Sequence, residues 1–181
     1  MRALLPALLC LPLIATLPLA HAEEQDRPVT QDQRDNPRLT DELFVTKAGQ
    51  ANLAEIQLSR KALEKSSSEA VIQYAERMIE EHTRANATLK AVAGQLGLQM
   101  PTELDIKDQT ALSKLDALEG NWFDEEYAEH MIAGHRRTLA LFEAVSNEDH
   151  VAGELRRLAS ELLPLLQKHH AEATQLKETI E

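Results

Sequence analysis

Four ionisable residues occupy positions where helical periodicity calls for apolar side chains: Glu55, His82, His135 and His169. Glu55 interrupts the stripe Phe44, Ala48, Ala51, Leu58, Ala62, and His82 interrupts Val71, Ala75, Met78, Ala85, Leu89. His135 interrupts Ala128, Met131, Thr138, Phe142, and His169 interrupts Leu155, Leu158, Leu162, Leu165, Ala173, Leu176. Each stripe follows the alternating three–four spacing of a core-facing helix. A buried carboxylate or imidazole is costly unless it is paired, hydrogen-bonded or bound to a metal. Taken singly, each histidine reads more readily as a core-edge side chain bonded to a backbone carbonyl, and Glu55 as the partner of a nearby His or Arg. Four such groups facing one bundle axis point instead to a shared metal site. Imidazoles with one carboxylate suit zinc, iron, manganese or copper, and not calcium or magnesium.

The elements that must position these residues are helices; no stretch shows sustained two-residue alternation. The first helix is expected over 41–64, with Thr40 as N-cap and Asp41 and Glu42 favouring its positive end. Ser66-Ser67-Ser68-Glu69 reads as a capping box opening the second helix, which ends at Gly97 before Met100-Pro101. An irregular stretch, 98–107, precedes a short amphipathic piece, 111–118, that stops at Gly120. A third long helix runs to about Asn147 and a fourth to the C-terminus, bent at Pro164. Two short-looped hairpins joined by a long connection over 98–121 predict an all-α, ferritin-like four-helix bundle rather than simple up-down-up-down order. A weak repeat relates Glu55 to His135 (shift of 80) and His82 to His169 (shift of 87).

The height of each residue along the axis decides whether the four meet. A first turn centred near residue 67 puts Glu55 opposite residue 79 or 80, within side-chain reach of His82. A last turn centred near 151 sets His135 beside His169. One centred near 148 sets His135 against Glu161, makes Tyr127 the residue opposite His169, and leaves Asp124 as the nearest carboxylate. Asp124 and Tyr127 are therefore the second-choice donors. His130, His150 and His170 are expected on solvated faces. Ile79 and Leu166 stand three residues before His82 and His169, where di-iron bundles carry the Glu of Glu-x-x-His. A single-metal Glu/His3 site is the expectation. No nucleophile–base pair is visible, so redox chemistry at a metal is the only enzymatic route the residues support, and no organic cofactor is implied.

Met1-Arg2, an apolar run from Ala3 to Ala20 and the cleavage signal Ala20-His21-Ala22 read as a secretory signal over 1–22. Pro6, Pro12 and Pro18 disfavour the alternative, a membrane anchor. The only cysteine, Cys10, would leave with it and lacks the context of a lipidated residue. Residues 23–40 are polar and proline-containing, and are expected to be a disordered leader to a domain over 41–181. The formal net charge of −11 and scarcity of aromatics exclude ordinary nucleic-acid and anionic-membrane binding. Cations and a cationic envelope partner are the electrostatically natural ligands.

Over about 40–178 the chain resembles the exported bacterial family called domain of unknown function 4142. The residues that carry the resemblance are Phe44, Ala48-Gly49 and Glu55; Met78, His82 and Ala85-Asn86; Phe123-Asp124, Tyr127 and His135; and Leu163-Pro164, Leu166 and His169. The resemblance implies a periplasmic four-helix bundle, often labelled an outer-membrane protein, with no established reaction. Barrel-type strands are absent from the sequence pattern, so that label is not read as topology. The leading functional reading is a bundle that binds one transition metal, in metal handling or envelope stress protection, free in the periplasm or held at the outer membrane. The alternative is a non-metal interaction module with a hydrogen-bonded polar core and acidic partner-binding faces. A third is a bundle that opens to take a lipid or peptide.

Overall fold

The structure, a computed structural model, describes residues 39–180. The expected signal segment and nearly all of the expected leader lie outside the described residues. Five helices follow one another: α1 (Asp41–Lys65), α2 (Glu69–Gln95), α3 (Ile106–Asp116), α4 (Gly120–Ser146) and α5 (Gly153–Ile180). Among the described residues there is no strand, and no helix is long and apolar enough to cross a membrane.

The helix ends show why the chain breaks where it does. Thr40 caps α1, its hydroxyl accepting from the Leu43 amide at 3.2 Å, with Asp41 and Glu42 in the first turn. The expected capping box at Ser66 does not form. The Ser66 amide still closes α1 on Ala62 O, so the chain leaves one helix before it can start the next, and α2 begins only at Glu69. Gly97, at φ 72°, ends α2: its own amide bonds Gly94 O and the Leu98 amide bonds Ala93 O, a Schellman pair. Helix α3 starts earlier than the apolar pattern indicates, because the Asp105 side chain caps it by accepting from the Asp108 amide at 3.0 Å. Pro164 lies inside α5, which continues through it.

The long helices pack as two hairpins, α1 with α2 and α4 with α5; α1 also lies beside α4, and α2 beside α5. Helix α3 runs back along α1. Lys47 near the start of α1 pairs with Asp105, and Lys65 at its end donates to the carbonyl of Asp116 at 2.6 Å. Helix α4 therefore starts at the far end of α1 and descends antiparallel to it, so that Tyr127 meets Ser59 and Phe142 meets Phe44. This is the two-hairpin, one-crossover connectivity expected from the loop lengths.

The core has two apolar halves. One gathers Leu58, Met78, Phe123, Tyr127 and Met131; the other gathers Phe44, Leu89, Phe142, Leu155 and Leu166. Between them the buried polar side chains Asn52, Glu55, His82, His135 and His169 form a layer across the bundle.

The crossover is clamped to α1 at Gly49, where an added Cβ would lie 2.6 Å from the Pro101 ring. Gly49→Ala is expected to cost about 1–3 kcal/mol through overpacking, seen as a lower urea midpoint with unchanged m-value. Gly94→Ala, whose Cβ meets nothing within 4 Å, is the control and should gain up to about 1 kcal/mol.

Candidate metal centre

Three helices bring the histidines together. His82 comes from α2, His135 from α4 and His169 from α5, each at most 4% exposed. Their ring centroids are 5.6 Å (82–135), 5.2 Å (82–169) and 5.3 Å (135–169) apart, a nearly equilateral triangle. One ring nitrogen from each lies within 4.8 Å of the others. An ion about 2.1 Å from two nitrogens holds them at most about 4.2 Å apart, so the widest pair must close by up to roughly 0.6 Å. Side-chain rotations of that size would complete the site.

Each imidazole has one nitrogen committed to the protein and one left over. His82 Nδ1 donates to Asn52 Oδ1 at 2.9 Å, and His135 Nδ1 donates to the Met131 carbonyl at 2.9 Å. His169 Nε2 donates to the Glu81 carboxylate. The acceptors fix the tautomers, because a carbonyl or carboxylate oxygen requires the proton on the facing nitrogen. The opposite nitrogens, His82 Nε2, His135 Nε2 and His169 Nδ1, are buried without hydrogen-bond partners. That pattern, an oriented ring with a bare lone pair, is what metal-ligating histidines show.

Electrostatics keep these lone pairs available. Burial lowers the His82 pKa well below its ordinary value, and the neighbouring His135 and His169 lower it further. Burial pushes His135 down to about 4, against the opposing bond to Met131. Burial also lowers His169, opposed by its bond to Glu81. The rings are therefore neutral at pH 7, the form that binds metals. A cavity of about 20 Å³ lies beside His82 and His169, walled mainly by Leu89, Phe142, Leu162 and Leu166. It has room for about one water-sized group.

Glu55, expected as the fourth ligand, does not join the triad. Its Oε1 sits 3.9 Å from His135 Nδ1, the nitrogen already bonded to Met131, so it faces the wrong end of the ring. The cause is axial height. With the first turn centred on Ser67, Asn52 rather than Glu55 is level with His82. The last turn places His135 beside His169, as the first of the two alternatives expected. Tyr127 is engaged with Ser59 at 2.8 Å, and neither it nor Asp124 belongs to the histidine group, although Asp124 is buried. His130 departs from its expected solvated face: its side chain is 12% exposed and its Nε2 lies 3.5 Å from Asp108, because α3 covers that side of α4. His150 is exposed and His170 half-buried. Sequence reasoning missed the orienting residues. Asn52 lies one turn before Glu55, a signal that was readable. Glu81, next to His82, looks like any exposed acid until α5 packs beside it.

The family model described as a domain of unknown function, DUF4142, matches residues 26–176, and the chain belongs to that family. No curated protein and no solved structure matches the chain.

Burial raises the Glu55 carboxyl to about 8, with Asp108 adding to the rise and His130 and Arg137 opposing it. The unfolded chain ionises this group near 4.5 while the folded protein keeps its proton, so its contribution is full below pH 4.5 and is lost as pH rises through 8. Glu55→Gln should match the native protein at pH 4 and exceed it by a few kcal/mol at pH 8, at roughly 1.4 kcal/mol per pH unit of the window. Urea unfolding at the two pH values measures this; equal stability at pH 8 would count against a protonated Glu55.

Proposed function

We propose that this family member is a periplasmic metal-binding bundle. His82, His135 and His169 would hold one transition ion (zinc, iron, manganese or copper), in metal handling or envelope stress protection. The observation that carries the reading is the set of three buried, bare imidazole nitrogens on rings oriented by Asn52, Met131 O and Glu81. A purely hydrogen-bonded core module, the rival, would leave no such nitrogens unpaired, since each costs about 1–3 kcal/mol. Three imidazoles leave a coordination position open, as in sites that exchange ligands rather than closed structural ones. A bound ion would supply Lewis acidity or redox chemistry there. Export is part of the proposal and is supported by the N-terminal pattern of residues 1–22. N-terminal sequencing of protein from the envelope fraction should begin at Glu23, whereas a retained Met1 would favour the membrane-anchor alternative over a cleaved signal.

Elemental analysis of untagged protein purified without chelator should find about one equivalent of a transition metal. His82→Ala, His135→Ala and His169→Ala should each lose it, and His150→Ala, exposed in the α4–α5 turn, should keep it. At a hundredfold excess over Kd, the ion should stabilise the native protein by about 2.7 kcal/mol. No metal after reconstitution, with the variants still folded, would leave the interaction-module reading. Asn52→Leu should weaken the metal by about 10–100-fold in a chelator competition while leaving one equivalent at saturation.

A further inference from the structure

A second cavity, of about 300 Å³, opens between α1, α3 and α4, with none of the three triad histidines in its wall. Glu55 lies in its wall, 95% buried, with Oε2 lacking any hydrogen-bond partner. Gln50, also in the wall, has a buried Oε1 in the same condition. Gly134 makes room for the Glu55 carboxyl, because a Cβ there would stand 2.8 Å from Oε1. Ala51, Ala54 and Leu141 add apolar surface.

The wall carries both signs of charge: Lys47, Lys107 and Arg137 line it together with Asp105 and Asp108. Lys47 and Arg137 have side chains 48% and 41% exposed, and Lys107 is exposed. Lys47 stands 3.8 Å from Asp105, and Arg137 stands 3.9 Å from Asp108. Both separations exceed a hydrogen bond, so both cations keep donors for a ligand. Lys107 makes no ion pair among the described residues. Three cations against the carboxylates of Asp105 and Asp108 are a local exception on a chain of net charge −11.

The two ends ask for different groups. The unpartnered Gln50 Oε1 calls for an O–H or N–H donor, since a buried polar atom left unpaired is costly, and the Glu55 carboxyl keeps acceptor capacity for one even when protonated. The cations call for an anion, and planar Arg137 suits a carboxylate. We infer that this cavity binds a small carboxylic acid bearing a hydroxyl or ammonium group, the carboxylate between Lys107 and Arg137 and the donor against Glu55. The volume fits a molecule of a few carbons. The inference is independent of the metal reading.

Amide NMR of the full chain titrated with L-lactate, L-alanine, propionate and inorganic phosphate tests it. L-lactate or L-alanine should give saturable shifts at Ala54, Lys107 and Gly134, with the stronger of the two naming the donor as hydroxyl or ammonium. Propionate, lacking the donor, should bind about tenfold more weakly. Arg137→Gln should weaken binding similarly, and Ala51→Leu should block it by filling the apolar wall. Lys107→Gln, on an exposed position, replaces Arg137→Gln if that variant unfolds. No saturable shift up to about 50 mM, well beyond the millimolar range of weak ligands, would overturn the proposal. So would equal binding of propionate or phosphate, or unchanged binding to Ala51→Leu.

Discussion

Three imidazoles held in the middle of an apolar bundle impose the constraint around which the rest of this protein is arranged. Each ring has two polar atoms, and the bundle interior supplies an acceptor for only one of them. Burying the remaining nitrogens opposes folding unless something else binds them. The two apolar clusters on either side, anchored by Phe123 and Tyr127 above and by Phe44 and Phe142 below, stabilise the bundle without crossing that polar layer. Stability and site are thus separated along the axis. The same packing that holds the helices together also holds the rings neutral and close.

The crossover does more than connect the hairpins. By lying along α1, α3 covers a side of α4 that would otherwise face solvent, and so buries Asp108 and most of His130. It also closes the space in which Glu55 sits away from water. Clamping of Pro101 against Gly49 and of Lys65 against the end of α3 fixes where that cover begins and ends. The result is two separate polar sites. One is the histidine triad; the other is a cavity with acid, amide and cationic groups in its wall.

Much of the fold was legible because its signals are local. The stripes through Phe44, Met78, Met131 and Leu155 reflect one period, and burial follows it except late in α5, where Leu162 and Leu165 are half-buried and Leu166 is buried instead. Thr40 and Gly97 mark ends through bonds made within a few residues. The Ser66–Glu69 box misled because Ser66 was already engaged as the end of the preceding helix, a competition that pattern matching does not weigh. The start of α3 was missed because Ile106, 83% exposed, contributes nothing to an apolar stripe, while the Asp105 cap does the work.

The sequence by itself determined which faces turn inward and that His82, His135 and His169 share the interior. A helix's period assigns a residue to a face without any knowledge of its neighbours. It did not determine axial height. A shift of three residues along α1 moves a side chain by about 4.5 Å, enough to exchange Asn52 for Glu55 at the level of His82. That level depends on turn geometry and on how the hairpins dock, and these are settled only when four helices pack at once. Tertiary structure also decided that Glu81 bonds His169, since a carboxylate on one helix becomes an imidazole's acceptor only when another helix arrives beside it.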